Sequence, residues 1–203
     1  MNNQEHWDAI YQSKPDQDLS WTQPEPLLSL KLIDAACSSG LGSRVLDVGC
    51  GNSVLAERLL DRGYAVTVLD ISAAALERAK KLLGARASQI HWIAADILAL
   101  PTLESCDIWH DRAVFHFLTN PGDRAAYRKL LEQTIPVGGH VVMGTFALDG
   151  PQQCSGLAVQ RYDGPDLAAE LGASFALLKS EPEMHITPQG KQQSFQFSLF
   201  RRV

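Results

Sequence analysis

Arg44-Val45-Leu46-Asp47-Val48-Gly49-Cys50-Gly51-Asn52 is the stretch that decides the fold. Its apolar run is too short for a helix and stops at glycines, the pattern of a buried strand entering a tight turn. A helical pattern follows over 53–62, with Val54, Leu55 and Leu59 on one face and Gly63 as its stop. The β-branched run 65–70 then reads as a second strand ending on Asp70. Strand, turn, helix and strand in that order form a βαβ unit, whose right-handed crossover makes the two strands parallel.

The same alternation continues in both directions. Leu28, Leu32, Ile33 and Ala36 give a helical face before the first strand. Ser72 is placed to cap a helix over 73–83, which Gly84 ends. Strands are predicted at 89–94, 107–109 and 139–146, and helices at 121–133 and 166–171. The last two apolar segments, 175–179 and 194–199, have no helix between them and so must pair antiparallel. The predicted architecture is a single α/β domain with a doubly wound, mostly parallel sheet that ends in an antiparallel hairpin. Residues 1–43 are expected to form a helical lid region and 44–203 the core.

Composition bounds the function. The chain has 203 residues, is 45% hydrophobic and 20% charged, and carries a net charge of -5. No basic footprint is present, so nucleic acid is not an expected partner. No apolar run approaches the roughly 18 residues of a membrane span. The start lacks the basic and apolar regions of a signal peptide, which points to the cytoplasm. Cys37, Cys50, Cys106 and Cys154 form no C-x-x-C pair, so neither a disulfide framework nor a metal site is expected.

In an open α/β sheet, ligands bind beyond the carboxyl ends of the strands. The residues there are Asp47 with Gly49-Cys50-Gly51-Asn52, then Asp70-Ile71, Asp96-Ile97 and His110-Asp111-Arg112. Asp70 lies 23 positions after Asp47, the spacing of an acidic residue that accepts from ribose hydroxyls. Together with the G-x-G turn this points to an adenosine-containing cofactor. A dinucleotide fingerprint needs a third glycine where Val54 stands, which demotes a nicotinamide-dependent reductase. A P-loop fails at His185, and a hydrolase elbow fails at Leu55.

Val45-Leu46-Asp47-Val48-Gly49-Cys50-Gly51 resembles the first motif of class I S-adenosylmethionine-dependent methyltransferases, which have a Rossmann-like fold. Asp61-Arg62-Gly63-Tyr64, Ile108-Trp109-His110-Asp111-Arg112-Ala113 and Asn120-Pro121-Gly122-Asp123-Arg124 with Tyr127 resemble the thiopurine methyltransferase branch more closely. His6-Trp7-Asp8-Ala9-Ile10-Tyr11 resembles the aromatic segment that folds over the cofactor in that family. Phe115-His116-Phe117 departs from the thiopurine enzymes, so their substrates do not carry over. Small lysine methyltransferases share the N-terminal aromatics and the Gly-Cys-Gly-Asn turn, but not Asp111-Arg112-Ala113.

The resemblance implies a cofactor, S-adenosyl-L-methionine, and a set of roles. Gly49, Cys50, Gly51 and Asn52 would line its methionine half and Asp47 would hold its ammonium. Asp70 would take the ribose hydroxyls, Ile71 and Ile97 the adenine faces, and Asp96 the exocyclic amine. Arg112 would sit between the cofactor carboxylate and the substrate. Trp7, Tyr11 and Trp21 would close the lid, although Trp7 and Tyr11 one turn apart also fit a core-facing stripe. Phe115, Phe117 and Cys154 are expected at the substrate mouth. His116, with an ordinary pKa of about 6.5, and Asp111 are the candidate proton-transfer groups. The expected reaction is methyl transfer to a sulfur, nitrogen or oxygen of a small molecule by a monomer, with protein lysine as the alternative acceptor.

Overall fold

A computed structural model describes residues 3–37, 42–52 and 54–203. Ser53, where the sequence predicts a helix start, lies outside the described residues, as do 1–2 and 38–41 of the N-terminal segment.

A seven-stranded sheet carries the chain. Its first five strands are β1 (Arg44–Val48), β2 (Ala65–Asp70), β3 (Ile90–Ala94), β4 (Ile108–Arg112) and β5 (His140–Phe146). A two-residue hairpin follows, β6 (Gln153–Cys154) and β7 (Leu157–Ala158), and then the long strands β8 (Phe175–Ile186) and β9 (Gln192–Arg202). The spatial order is β3-β2-β1-β4-β5-β9-β8. Strands β1 to β5 are parallel, and β9 runs antiparallel to both β5 and β8. This is the doubly wound sheet with a terminal hairpin that the sequence predicts. The hairpin strands are 12 and 11 residues long, well beyond the apolar stretches that betray them, because backbone pairing continues through their polar ends.

The helices are α1 (Asn3–Ser13), α2 (Leu27–Ala36), α3 (Leu55–Asp61), α4 (Ala73–Leu83), α5 (Pro121–Thr134) and α6 (Gly164–Leu171). Ser72 caps α4 as expected, its hydroxyl accepting from the Ala75 amide at 3.1 Å. Asn120 caps α5 the same way through the Gly122 amide at 2.9 Å. The chain winds outward from β1 to β3, then returns to β4 on the other side of β1. The switch point therefore lies between β1 and β4, where their carboxyl ends diverge.

Two apolar layers sandwich the sheet. One joins Leu30, Leu32 and Ile33 of α2 and Leu55 and Leu59 of α3 to Val45, Val68 and Val142. The other joins Tyr127, Leu130 and Leu131 of α5 and Leu167 of α6 to Leu46, Val48 and Trp109. Because α2 packs in this core, it belongs with the sheet, and the covering segment before it is shorter than residues 1–43. That segment is α1 with the turn through Trp21, which docks on α4 through Asp8. The Asp8 carboxylate accepts from the Ser72 hydroxyl at 2.6 Å and the Ala74 amide at 3.2 Å.

Candidate active site

A cavity of about 280 Å³ opens at the switch point, walled by the ends of β1, β2 and β4 and roofed by α1. Gly49 makes its first turn possible. The residue has φ +67°, and a Cβ there would lie 2.0 Å from Val114 Cγ2. Its amide donates to the Leu69 carbonyl at 2.7 Å, which bends the turn over the end of β2. Gly51 lets the lid come close: a Cβ there would lie 2.4 Å from the Tyr11 hydroxyl.

Asp70 is locked in place by backbone. One carboxylate oxygen accepts from the Gly51 amide and the other from the Ser72 amide, each at 2.8 Å. Each oxygen retains a lone pair for a further donor. Burial pushes this carboxyl up to about 6 even though both amides favour the ionised form. Asp96 is half-buried and holds the start of its own turn through the Leu98 amide at 2.9 Å, with Ile97 buried beside it. Asp70, Ile71, Asp96 and Ile97 all line the cavity, as the sequence predicts for an adenosine site.

The other end of the cavity is charged. Asp47 is 2% exposed and accepts through Oδ1 from His110 Nδ1 at 2.7 Å, while its Oδ2 is buried with no partner among the described residues. Arg112 donates from Nη1 to the Trp21 carbonyl at 2.9 Å, and its guanidinium lies 4.9 Å from the Phe195 ring centre. Its Nε and Nη2 are buried and likewise without a partner there. Burial lowers the guanidinium to about 10, so it stays charged at neutral pH. Asp47 pairs with His110 across β1 and β4, and Arg112 follows two residues on, so all three project from one face.

Trp7, Tyr11, Trp21 and Phe117 form the aromatic cover. Trp7 meets Trp21 and Phe117 edge-on at 5.8 and 5.2 Å, and Tyr11 meets Trp21 at 5.8 Å. Cys50, Asn52 and Cys154 complete the wall. Burial raises the Cys154 thiol, which keeps it protonated.

Four expected site residues are not in that wall: Gly51, whose amide holds Asp70, and Asp111, Phe115 and His116. Asp111 points to the opposite face of β4, because side chains alternate along a strand. There it is fully buried and accepts from the Val114 amide at 2.9 Å and the Tyr127 hydroxyl at 2.5 Å. Phe115 packs in the same layer against Tyr127 and Tyr162, at 5.1 and 5.7 Å. His116 sits in a single 3-10 turn, wedged between Phe117 and Phe146 at 4.4 and 4.8 Å. Burial, with the Arg112 charge second, drives its imidazole down to about 3. A group so far below neutral and so placed is a core histidine, and the proton-transfer roles expected for His116 and Asp111 are corrected accordingly. The sequence places His110 at the end of the fourth strand without a role and gives no sign of Ser29, because their contacts bridge strands and a helix far apart in the chain. Among the described residues no group of three or more His, Cys, Asp or Glu is placed to hold a metal, and no helix is long and apolar enough to cross a membrane.

Comparison with known proteins agrees with this geometry. Residues 45–138 match a family described as a methyltransferase domain. The ubiquinone biosynthesis O-methyltransferase of Alkalilimnicola ehrlichii is 32% identical over 142 residues, covering 69% of this chain and 54% of that protein. A tRNA U34 carboxymethyltransferase of Aliivibrio salmonicida is 31% identical over 58% of this chain and 36% of that protein. The chain thus spans about half or less of the length of these curated relatives. The N-methyltransferase NodS of Bradyrhizobium japonicum, solved with S-adenosylhomocysteine, has the same fold, with a TM-score of 0.75 at 20% identity over 99% of each chain. Residues 45–138 thus match a methyltransferase domain, and the chain as a whole has the fold of class I S-adenosylmethionine-dependent methyltransferases. S-adenosylmethionine is the cofactor of that domain, and the residues present fit it. Asp70 and Asp96 match the adenosine half, and the unpartnered Asp47 Oδ2 and Arg112 N–H groups match the ammonium and carboxylate of the methionine half.

Proposed function

We propose that this protein transfers the methyl group of S-adenosylmethionine to a sulfur, nitrogen or oxygen atom of a compact small molecule. The observation that carries this reading is the cavity's pairing of a buried acceptor, Asp47 Oδ2, with buried donors on Arg112, beside an Asp70 fixed for two hydroxyls. Buried polar groups are costly unless partnered, and a zwitterionic amino-acid moiety partners both.

The bound cofactor supplies a methyl already activated on a positive sulfur. This chain's residues bind it, align it and exclude water. The aromatic cover of Trp7, Trp21 and Phe117 shields the reacting end, and holding donor and acceptor in line supplies most of the rate. No free imidazole lines the cavity among the described residues: His110 is bonded at both nitrogens and His116 lies behind the wall. Alignment, not proton transfer, is what this site offers.

Three features support a small acceptor. The cavity is close to the lower end of ligand-site volumes. Phe117, Cys154 and Arg112 give its mouth an apolar wall with one cation. The net charge of -5 favours a small acceptor over a nucleic acid, in contrast to what the name of the tRNA relative implies for that protein. The thiopurine-type motifs support kinship with that branch, but Asp111 and Tyr127 within them brace β4 on α5 and leave the acceptor to Phe117, Cys154 and Arg112. A cytosolic monomer of one domain belongs to the same proposal, supported by the free thiols of Cys50, Cys106 and Cys154.

Incubating the protein with methyl-tritiated cofactor and a lysate separated into small-molecule, RNA and protein fractions tests the acceptor. Label in the small-molecule fraction is expected. Label concentrated in one protein band, or in RNA, overturns the small-molecule assignment.

A further inference from the structure

A hydrogen-bonded chain runs along the floor of the cavity. Asp47 Oδ1 meets His110 Nδ1 at 2.7 Å, and His110 Nε2 meets the Ser29 hydroxyl at 2.9 Å. It ties β1 to β4 and β4 to α2. Ser29, Asp47 and His110 are 1, 2 and 2% exposed, so no bulk water competes for these bonds.

We infer that His110 is a positioning residue for the cofactor, holding Asp47 so that its second carboxylate oxygen faces the ammonium of the methionine moiety. The inference rests on the S-adenosylmethionine reading above. An ionised carboxylate only accepts, so Nδ1 must carry the proton of this bond. In the neutral ring Nε2 is then the acceptor, and the Ser29 hydroxyl donates to it, which selects that tautomer. The terminal torsion of an aspartate is otherwise soft and roughly two-fold. A bond from Nδ1–H to one oxygen removes that freedom and leaves Oδ2, the atom with no partner among the described residues, presented to the cavity. The charge on Asp47 strengthens the bond, as for any ionised acceptor. Because His110 and Arg112 share a face of β4, the strand that holds Asp47 also carries the guanidinium, so one rigid element spaces both ends of the zwitterion site.

Calorimetry with two ligands separates this role from a general one. S-adenosylhomocysteine carries the amino-acid moiety, whereas 5′-methylthioadenosine keeps the adenosine and thioether and lacks it. His110→Leu should weaken S-adenosylhomocysteine at least about tenfold and leave 5′-methylthioadenosine within about twofold. His110→Asn, which keeps an N–H toward Asp47, should recover most of the loss. Equal loss of both ligands, or no loss of either, overturns the inference while leaving the cofactor assignment standing. Wild-type protein that fails to bind S-adenosylhomocysteine brings down the cofactor reading and this inference together. Should His110→Leu not fold, nitrogen-15 spectra of the wild-type imidazole decide. The Nδ1-bound proton is expected to shift on adding S-adenosylhomocysteine and not on adding 5′-methylthioadenosine; an unmoved proton overturns the inference.

Discussion

Gly49 and Val114 stand so close that a Cβ on the glycine would lie 2.0 Å from Val114 Cγ2. The contact joins the turn after β1 to the turn after β4, the two loops between which the cavity opens. Ala113, beside Val114, adopts φ +73°, so the second turn is itself strained. A side chain at position 49 meets both a clash and a left-handed backbone.

Gly49→Ala should therefore destabilise the fold by about 2–4 kcal/mol, combining overpacking with the left-handed penalty. Urea denaturation checks this. A loss under about 1 kcal/mol would show that the two turns are not packed as described.

The Asp70 carboxyl, raised to about 6 by burial, makes cofactor binding pH-dependent. Ribose hydroxyls donate to the ionised form, so affinity for S-adenosylhomocysteine should rise with pH through about 6 and level off above 7. Between pH 7.5 and 5 the fall should be about tenfold, and Asp70→Asn should abolish it along with much of the affinity. Stability runs the other way. A carboxyl raised above its unfolded value binds more protons when folded, so its contribution falls as pH rises from about 4 to 6. Asp111, also raised to about 6, shares the stability effect, but it lies outside the cavity and should leave binding unaffected. Titrating the dissociation constant of wild type and Asp70→Asn separates the two.

The Tyr127 hydroxyl accepts from Trp109 Nε1 at 2.8 Å and donates to Asp111. Tyr127→Phe leaves both partners short of one buried bond, a loss of about 1–3 kcal/mol in thermal or urea unfolding. Binding of S-adenosylhomocysteine should stay within about twofold, because the brace lies on the far face of β4. A large loss of binding with unchanged stability would place Asp111 at the site after all.

Much of the cofactor end was legible in the sequence. The βαβ alternation gave the parallel sheet, and the absence of a helix before 194–199 gave the antiparallel hairpin. The spacing from Asp47 to Asp70 placed an acidic residue at the end of each of two neighbouring strands. The rest required faces and contacts. His110-Asp111-Arg112 forms one cluster in the sequence, yet a strand alternates, sending His110 and Arg112 to the cavity and Asp111 to α5. That much was available from the period of two. A 3-10 turn after β4 tucks His116 and Phe115 inward, and no local pattern distinguishes that turn from a short helix. The bond from Asp47 to His110 spans 63 residues and that from His110 to Ser29 spans 81, so only the folded sheet reveals them.

The central claim is that the cavity between β1 and β4 is the S-adenosylmethionine site. Titrating S-adenosylhomocysteine into protein stripped of bound ligand, with Asp70→Ala alongside, tests it most directly. One molecule should bind per chain, with heat and a rise in melting temperature, and Asp70→Ala should lose about 1–3 kcal/mol of that affinity. No heat and no thermal shift with the wild-type protein, or full affinity in Asp70→Ala, would contradict it.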